Sequence, residues 1–378
     1  MNALRVEAYL RSACSVLNFD VGELWTVREN PGQSPSLHFM QLYTSPLYED
    51  FHNILIRPSH VQDGANDDQE HRFSPIICRG VCDGGQIVWA NTKLSNGLIG
   101  RNVCNKLVQL NYSVKALIRD KKNSLLEGVD YITADLSDNN FVNQLPEDVD
   151  YILHLSQSNK FRDFPKYAND IFSVNVKSTA ILLDYARKVG VQKFIYTSSG
   201  GVYGNSSKPF NENAPLVKPG KLGFYLGSKA SAEILVQSYS EIFQVTIIRP
   251  FFVYGPGQKK AMLIPRILDN IANRKSIFIQ GKDGISINPI HVKDASSAII
   301  KSMMIDKNSI YNIGGPEILT IREIAEIFAK YLRKKPIFKN VSGENLNLIA
   351  DIELMKKELI VPTIKLKNSI NDVNNFQY

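Results

Sequence analysis

From Gly97 onward the apolar positions follow two alternating periods. Short continuous runs rich in β-branched residues recur at 114–118, 131–132, 149–155, 194–197 and 245–248, the pattern of strands buried on both faces. Between them, apolar residues spaced by three and four predict helices at 101–110, 169–189 and 225–239, with Ile181, Leu182, Tyr185 and Ala186 on the inner side of the second. Such alternation predicts an α/β fold, a doubly wound parallel sheet with crossover helices. After Pro256 the strands shorten. Helices at 263–273 and 321–331 and a strand at 276–280 predict a smaller C-terminal lobe. Before Gly97 the pattern is different: an amphipathic helix within 1–30 (Leu4, Tyr9, Leu10, Ala13, Leu17), a strand at 21–27, an aromatic segment at 37–48 and a charged loop at 63–70. Two more short strands fit within 76–90. The expected organisation is an α/β N-terminal appendage at 1–85, a dinucleotide-type domain at 86–255 and mainly a substrate-binding lobe at 256–378, with a frayed tail from 368.

Charge sharpens that boundary. Residues 1–92 contain no lysine and carry net −5, whereas 93–378 carry +12, together the +7 of the chain. The basic residues are spread along predicted helices rather than gathered with aromatics on one face, so nucleic acid is not an expected partner. No apolar run approaches 18 residues, and Glu7 and Arg11 interrupt the N-terminal apolar residues. No membrane association is expected, and the cytoplasm is the expected location. Four cysteines fit a reducing compartment. Cys78 and Cys82 lack a second ligand pair, so no metal is expected.

The candidate chemistry lies between Lys193 and Lys229. A strand ending in Thr197-Ser198-Ser199 opens into Gly200-Gly201, and a helix follows carrying Tyr225 and Lys229. Four residues apart on a helix, phenol and ammonium share a face, and the ammonium would favour the phenolate. Ser199 would hold a substrate oxygen opposite that phenol. The spacing alone is weak: 16 Tyr and 29 Lys produce about one such pair by chance. A second copy, Tyr331 to Lys335, reads as a solvated helix end.

TSSGGVYG, YLGSK and IRPFFVYGPGQ together resemble the extended short-chain dehydrogenase/reductases of the NAD-dependent epimerase/dehydratase branch, over about 97–361. The N-terminal segment resembles the start of a GAF-type sensory domain only faintly, and a packing appendage is an equal reading. The resemblance implies a Rossmann-type sheet, NAD or NADP as cofactor, a nucleotide sugar as small-molecule substrate, and a homodimer as one possible assembly. It implies Ser199, Tyr225 and Lys229 as catalytic residues. For the cofactor it implies Gly97, Leu98, Ile99 and Gly100 at the diphosphate, Arg119 at a 2′-phosphate, Asp135 and Leu136 by the adenine, and His154 and Ser156 at the pocket edge. Asn175 would support the catalytic loop.

Two departures bear on function. Gly97 and Gly100 match the second and third glycines of the family loop, but Lys93 and Leu94 stand where Thr and Gly are usual. Either the strand lies at 88–92 and a branched side chain crowds the pyrophosphate, or it lies at 86–90 and a longer loop replaces the motif. The lysine boundary favours a fusion point running through the motif. Second, Phe252 stands where many sugar-nucleotide enzymes carry an Asn on the substrate diphosphate; Phe252 and Arg249 are nonetheless the expected substrate-side residues, and His291 an expected structural one. Dehydratases of this branch place Asp-Glu where this chain has Gly200-Gly201, which disfavours elimination. Epimerisation is the expected activity. Carbonyl reduction, and a cofactor-poor binding or sensor role, are the alternatives.

Overall fold

The computed structural model describes residues 97–119, 126–343 and 347–374, with the backbone of strands at 26–28, 36–38 and 86–90. The chain divides into two units, Met1–Asp83 and Gly84–Tyr378. In the first, β1 (Thr26–Arg28) and β2 (Ser36–His38) pair antiparallel. The helix expected within 1–30, and Cys78 and Cys82, lie outside the described residues.

The second unit contains β3 (Gln86–Ala90), β4 (Ser113–Ile118), β5 (Val129–Thr133), β6 (Tyr151–His154), β7 (Lys193–Thr197), β8 (Gln244–Pro250), β9 (Ser276–Gln280), β10 (Ser286–Ile287), β11 (Ser309–Ile313), β12 (Leu319–Thr320) and β13 (Ile337–Val341). Seven of them form one parallel sheet in the order β11-β8-β7-β6-β3-β4-β5. Strand residues alternate between its faces. Leu153, Ile195 and Ile248 join Val103 and Leu107 of α1 (Leu98–Gln109) in one core cluster. Their neighbours Ile152, Phe194 and Ile247 join a second cluster with Leu182, Leu183 and Ala186. Burial on both faces is why these strands read as unbroken apolar runs.

The helix expected at 169–189 is α2 (Ala168–Phe172), a π-helical turn at Ser173–Lys177 and α3 (Ser178–Val189). The next crossover helix is α4 (Gly223–Gln237). A smaller lobe holds α5 (Leu263–Ala272), β9 paired parallel with β13, and α7 (Ile321–Leu332), packed through Ile267, Leu268, Ile277, Ile324 and Phe328. Thr320 and Glu323 form a capping box at the start of α7. Between these lobe elements the chain returns to the main unit: α6 (Val292–Met303) packs on α1 and β11 pairs with β8. Asn312 hides that strand in the sequence. It is fully buried, donates to the Phe210 carbonyl and accepts from the Tyr203 hydroxyl, so a polar residue interrupts an otherwise apolar run.

The first sheet strand occupies 86–90, not 88–92. The connection to α1 is therefore longer than an ungapped alignment requires, and Lys93 and Leu94 lie in it, outside the described residues.

Candidate active site

The chain runs from β3 outward to β5 and returns on the other side of β3 as β6, so strand order reverses between β3 and β6. In open parallel sheets the crevice at the carboxyl ends of such strands is where ligands bind. Four segments converge there: the start of α1, the loop after β6, the loop after β7, and the first turns of α4.

Gly97 is the N-cap of α1 at φ −87°, and no side chain caps the helix. The first intrahelical bond comes from Arg101 N–H to the Gly97 carbonyl at 3.1 Å, which leaves the N–H groups of Leu98, Ile99 and Gly100 without an intrahelical acceptor. No acidic side chain stands in that first turn. This arrangement suits the diphosphate of a dinucleotide: donors not used within the helix, at the positive end of its dipole. Arg119 is exposed at the end of β4; Asp120 lies outside the described residues. Asp135, after β5, accepts from Ser137 N–H and Oγ at 2.9 and 2.8 Å. The Leu136 side chain is packed in the core, so only its main chain is free to meet an adenine.

The loop after β6 is fastened along its length. The Ser156 carbonyl accepts from Lys229 Nζ at 3.2 Å. Ser158 N–H donates to Asn175 Oδ1 at 2.8 Å, and Ser158 Oγ is bonded to Asp170. Asn175 sits on the π-turn, and its Nδ2 donates to Ser228 Oγ on α4 at 2.9 Å. One extra residue in a helix re-aims a side chain; here it lets a buried amide tie the β6 loop to the helix bearing Tyr225 and Lys229. His154 differs from its expected place at the pocket edge. It is fully buried, with Nε2 2.9 Å from Thr179 Oγ1, and that hydroxyl donates to the Asn175 carbonyl at 2.8 Å. Thr179 therefore accepts from Nε2–H, and burial pulls the ring down to about 3, which keeps it neutral.

Lys229 is buried at the ends of β6 and β7. Its ammonium donates to the Thr197 carbonyl at 2.9 Å and to Ser156, and lies 5.0 Å over the Tyr196 ring. Burial pulls it down to about 7, against the raising effect of Glu233. Tyr225, one turn earlier, packs on Phe161 with ring centroids 4.8 Å apart. Its hydroxyl donates to Gln157 Oε1 at 2.7 Å. Burial pushes the phenol above its usual range, opposed by Arg162. The residue spacing predicted an ammonium lowering a phenol; in this state the low-polarity surroundings act on both groups, in opposite directions.

Ser199 caps the short helical turn Gly200–Tyr203, and its oxygen accepts from Gly201 N–H at 3.1 Å, leaving its own proton to donate. This loop lies against α4: a Cβ on Gly201 would fall 2.8 Å from Leu226, the neighbour of Tyr225. A Cβ on Gly200 would fall 2.4 Å from the buried ring of Phe251. A side chain at 200 is therefore excluded by the packed ring, whereas at 201 one requires the end of the Leu226 side chain to turn aside.

Two expected substrate residues need correction or qualification. Arg249 is not a substrate group: it is buried, paired through Nε and Nη2 with both oxygens of Glu233 at 3.0 and 2.6 Å. Its Nη1 is taken by the Tyr203 hydroxyl and the Glu212 carbonyl. It lies inside β8, and its cationic head is consumed tying that strand to α4. Phe252 follows β8 at φ +48°, half-buried and packed against two core clusters, a backbone region that costs a side chain of this kind about 1 kcal/mol or more. His291 is fully buried as the N-cap of α6. Tyr331 and Lys335 do not share a helical face, because α7 ends at Leu332; Tyr331 is exposed and donates to Asn371. Among the described residues no cluster could hold a metal ion, and no helix is long and apolar enough to cross a membrane. Gln157 was missed by sequence reading, since no spacing rule marks a lone Gln in a loop.

Residues 95–314 match the model of the NAD dependent epimerase/dehydratase family. The human dTDP-D-glucose 4,6-dehydratase is 32% identical over 211 residues, 54% of this chain and 59% of that protein. The UDP-glucuronate 4-epimerase of Thermodesulfobacterium geofontis is 29% identical over 164 residues, 43% of this chain and 50% of its own length. The chain thus spans about half to three-fifths of these relatives. The solved UDP-glucuronic acid 4-epimerase of Bacillus cereus, in complex with UDP-glucuronic acid and NAD, superposes with a TM-score of 0.66 at 21% identity, over 77% of this chain and 98% of that one. At that identity the likeness is one of fold.

Proposed function

The chain belongs to the NAD dependent epimerase/dehydratase family, and on that premise we propose that it inverts a ring carbon of a nucleotide sugar by reversible oxidation. The observation that carries this reading is the buried Lys229 amine at the strand ends, one helical turn from the Tyr225 hydroxyl. The start of α1 fits the diphosphate of NAD, with Gly97, Leu98, Ile99 and Gly100 as its holders; Asp135, the Leu136 main chain and Arg119 fit the adenosine end. NAD, when bound, supplies a hydride acceptor and donor. Tyr225 takes the proton from the sugar hydroxyl being oxidised and returns one when the carbonyl is reduced. Ser199 donates its free proton to the same oxygen and fixes it in place. Lys229, charged, opposes the burial that keeps the phenol neutral.

Epimerisation is favoured over dehydration by the packing at 200 and 201. Removal of a hydroxyl needs an acid beside the oxidised carbon, and the contact of Gly200 with the buried Phe251 ring leaves no room for Asp there, while Glu at 201 would require Leu226 to turn aside. The test is incubation with NAD and either UDP-glucose or UDP-glucuronate, followed by proton NMR of the sugar. Appearance of the C4 epimer supports the reading. From UDP-glucose, a 4-keto-6-deoxy product would replace it with dehydration, and net NADH formation with release of a free keto sugar would replace it with simple carbonyl–alcohol oxidoreduction.

A further inference from the structure

We propose that Gln157 is a positioning residue for proton exchange: its side-chain carbonyl orients the Tyr225 hydroxyl and holds its proton until a sugar oxygen takes that place. The inference rests on the reading of Tyr225 as the proton-exchanging group and adds a residue to it.

The loop geometry makes Gln157 a fixed partner rather than a chance contact. Its chain neighbours are both pinned, Ser156 by Lys229 and Ser158 by Asn175 and Asp170. Its half-buried side chain is left to reach Tyr225, at 2.7 Å. The same two elements that carry Lys229 and its acceptor therefore carry the phenol and its acceptor, and they are joined by the buried Asn175–Ser228 bond. A carboxamide is suited to this position. Its oxygen accepts from the phenol, and after rotation its NH₂ can donate to a phenolate, so both protonation states find a partner. A carboxylate serves only the first state.

The groups around the phenol leave this role to Gln157. On α4, the Lys229 ammonium is directed at two main-chain carbonyls. From the segment after β6, Arg162 is bonded to the Ala261 carbonyl, while Lys160 and Asp170 are engaged with each other. From β7, Tyr196 is a buried neutral phenol, and from β8 Arg249 is paired with Glu233. Gln157 alone among these touches the Tyr225 hydroxyl by hydrogen bond in the described residues. Accepting from the neutral phenol favours that form, as burial does.

The experiment compares wild type with Gln157→Ala and the isosteric Gln157→Glu, using NAD and UDP-glucose as probes. Two readouts are taken: the pH profile of kcat/KM, which reports the free enzyme, and the ¹³Cζ resonance of Tyr225 at pH 7, assigned by its loss in Tyr225→Phe. Removing the acceptor should move the low-pH limb of kcat/KM down by about one unit, tenfold in proton affinity, and displace the resonance. The carboxylate should move the limb the other way and keep the resonance near its wild-type position. Shifts in the same direction for both variants, or none, overturn the proposal while leaving the Tyr225 reading intact. Full turnover by Tyr225→Phe overturns that reading and this proposal with it. Should UDP-glucose not turn over, an unmoved resonance in Gln157→Ala overturns the proposal and a displaced one supports it.

Discussion

Replacing Arg249 separates a structural role from a substrate role by the quantity that changes. Both members of the Arg249–Glu233 pair are almost fully buried, with side chains 4% and 1% exposed. Arg249→Met leaves the Glu233 carboxylate without its two donors and the Tyr203 hydroxyl without its guanidinium neighbour. Breaking a buried ion pair from one side costs about 3–5 kcal/mol, mostly the desolvation of the charge left behind. Glu233→Gln keeps an acceptor for one guanidinium nitrogen, so it belongs near the lower end, about 3 kcal/mol. The double change Arg249→Met with Glu233→Gln removes both charges and should cost clearly less than the two single changes added together. Urea unfolding followed by circular dichroism measures all four proteins, with an unchanged slope required for the midpoints to be compared. The substrate reading would be restored by one result: Arg249→Met with an unmoved midpoint and a raised KM for the nucleotide sugar.

Tyr225→Phe should lower turnover by at least about a hundredfold, whereas Tyr331→Phe, on the exposed end of α7, should leave kcat as it is; equal losses would refute the assignment of Tyr225. If Arg119 meets a 2′-phosphate, Arg119→Ala weakens NADP and leaves NAD nearly unchanged, which calorimetric titration of both cofactors decides; an equal change in the two means that the side chain faces solvent. Gly200→Ala should destabilise by about 1–3 kcal/mol, the range for overpacking a core, because its new carbon meets Phe251; an unmoved melting midpoint would remove the packing argument against dehydration. Lys229 is held at about 7 against an ordinary 10.5, so between those values the unfolded chain binds more protons and stability should rise with pH, with no slope from this group below pH 7. The slope should vanish in Lys229→Met; a slope that persists would locate the titration elsewhere.

Much of the sheet was legible because its strands are buried on both faces and its crossover helices on one. The strand at 276–280 and the helix starts at Leu263 and Ile321 fall where the pattern puts them, the last sharpened by its capping box. What the pattern could not deliver were features whose cause is long-range. Nothing local in 169–189 announces a π-turn; it exists because Asn175 must face Ser158 and Ser228 at once. β11 was hidden for the same reason, since the partners of Asn312 come from Phe210 and Tyr203, about a hundred residues away. Arg249 was misread because a motif marks a position near a cleft without saying which way its side chain points; alternation along β8 sends it to Glu233.

The candidate site was legible as residue types and not as electrostatics. A helical spacing of four supplies the Tyr225–Lys229 pair, and in water an ammonium beside a phenol lowers the phenol. Taken out of water, each group prefers its neutral form, and the site bears the marks: a phenol pushed up and bonded to an amide oxygen, an amine pulled down. Two carbonyls, those of Thr197 and Ser156, act against that trend on the amine, because they can only accept and so favour a nitrogen carrying protons. Among the described residues no donor is hydrogen-bonded to the phenol; its bonded partner is the Gln157 oxygen. The resting arrangement thus keeps the cation available and the base protonated. Moving the phenol toward its basic form then requires that the amide turn or be displaced, which makes the identity of residue 157 a chemical question and not a packing detail.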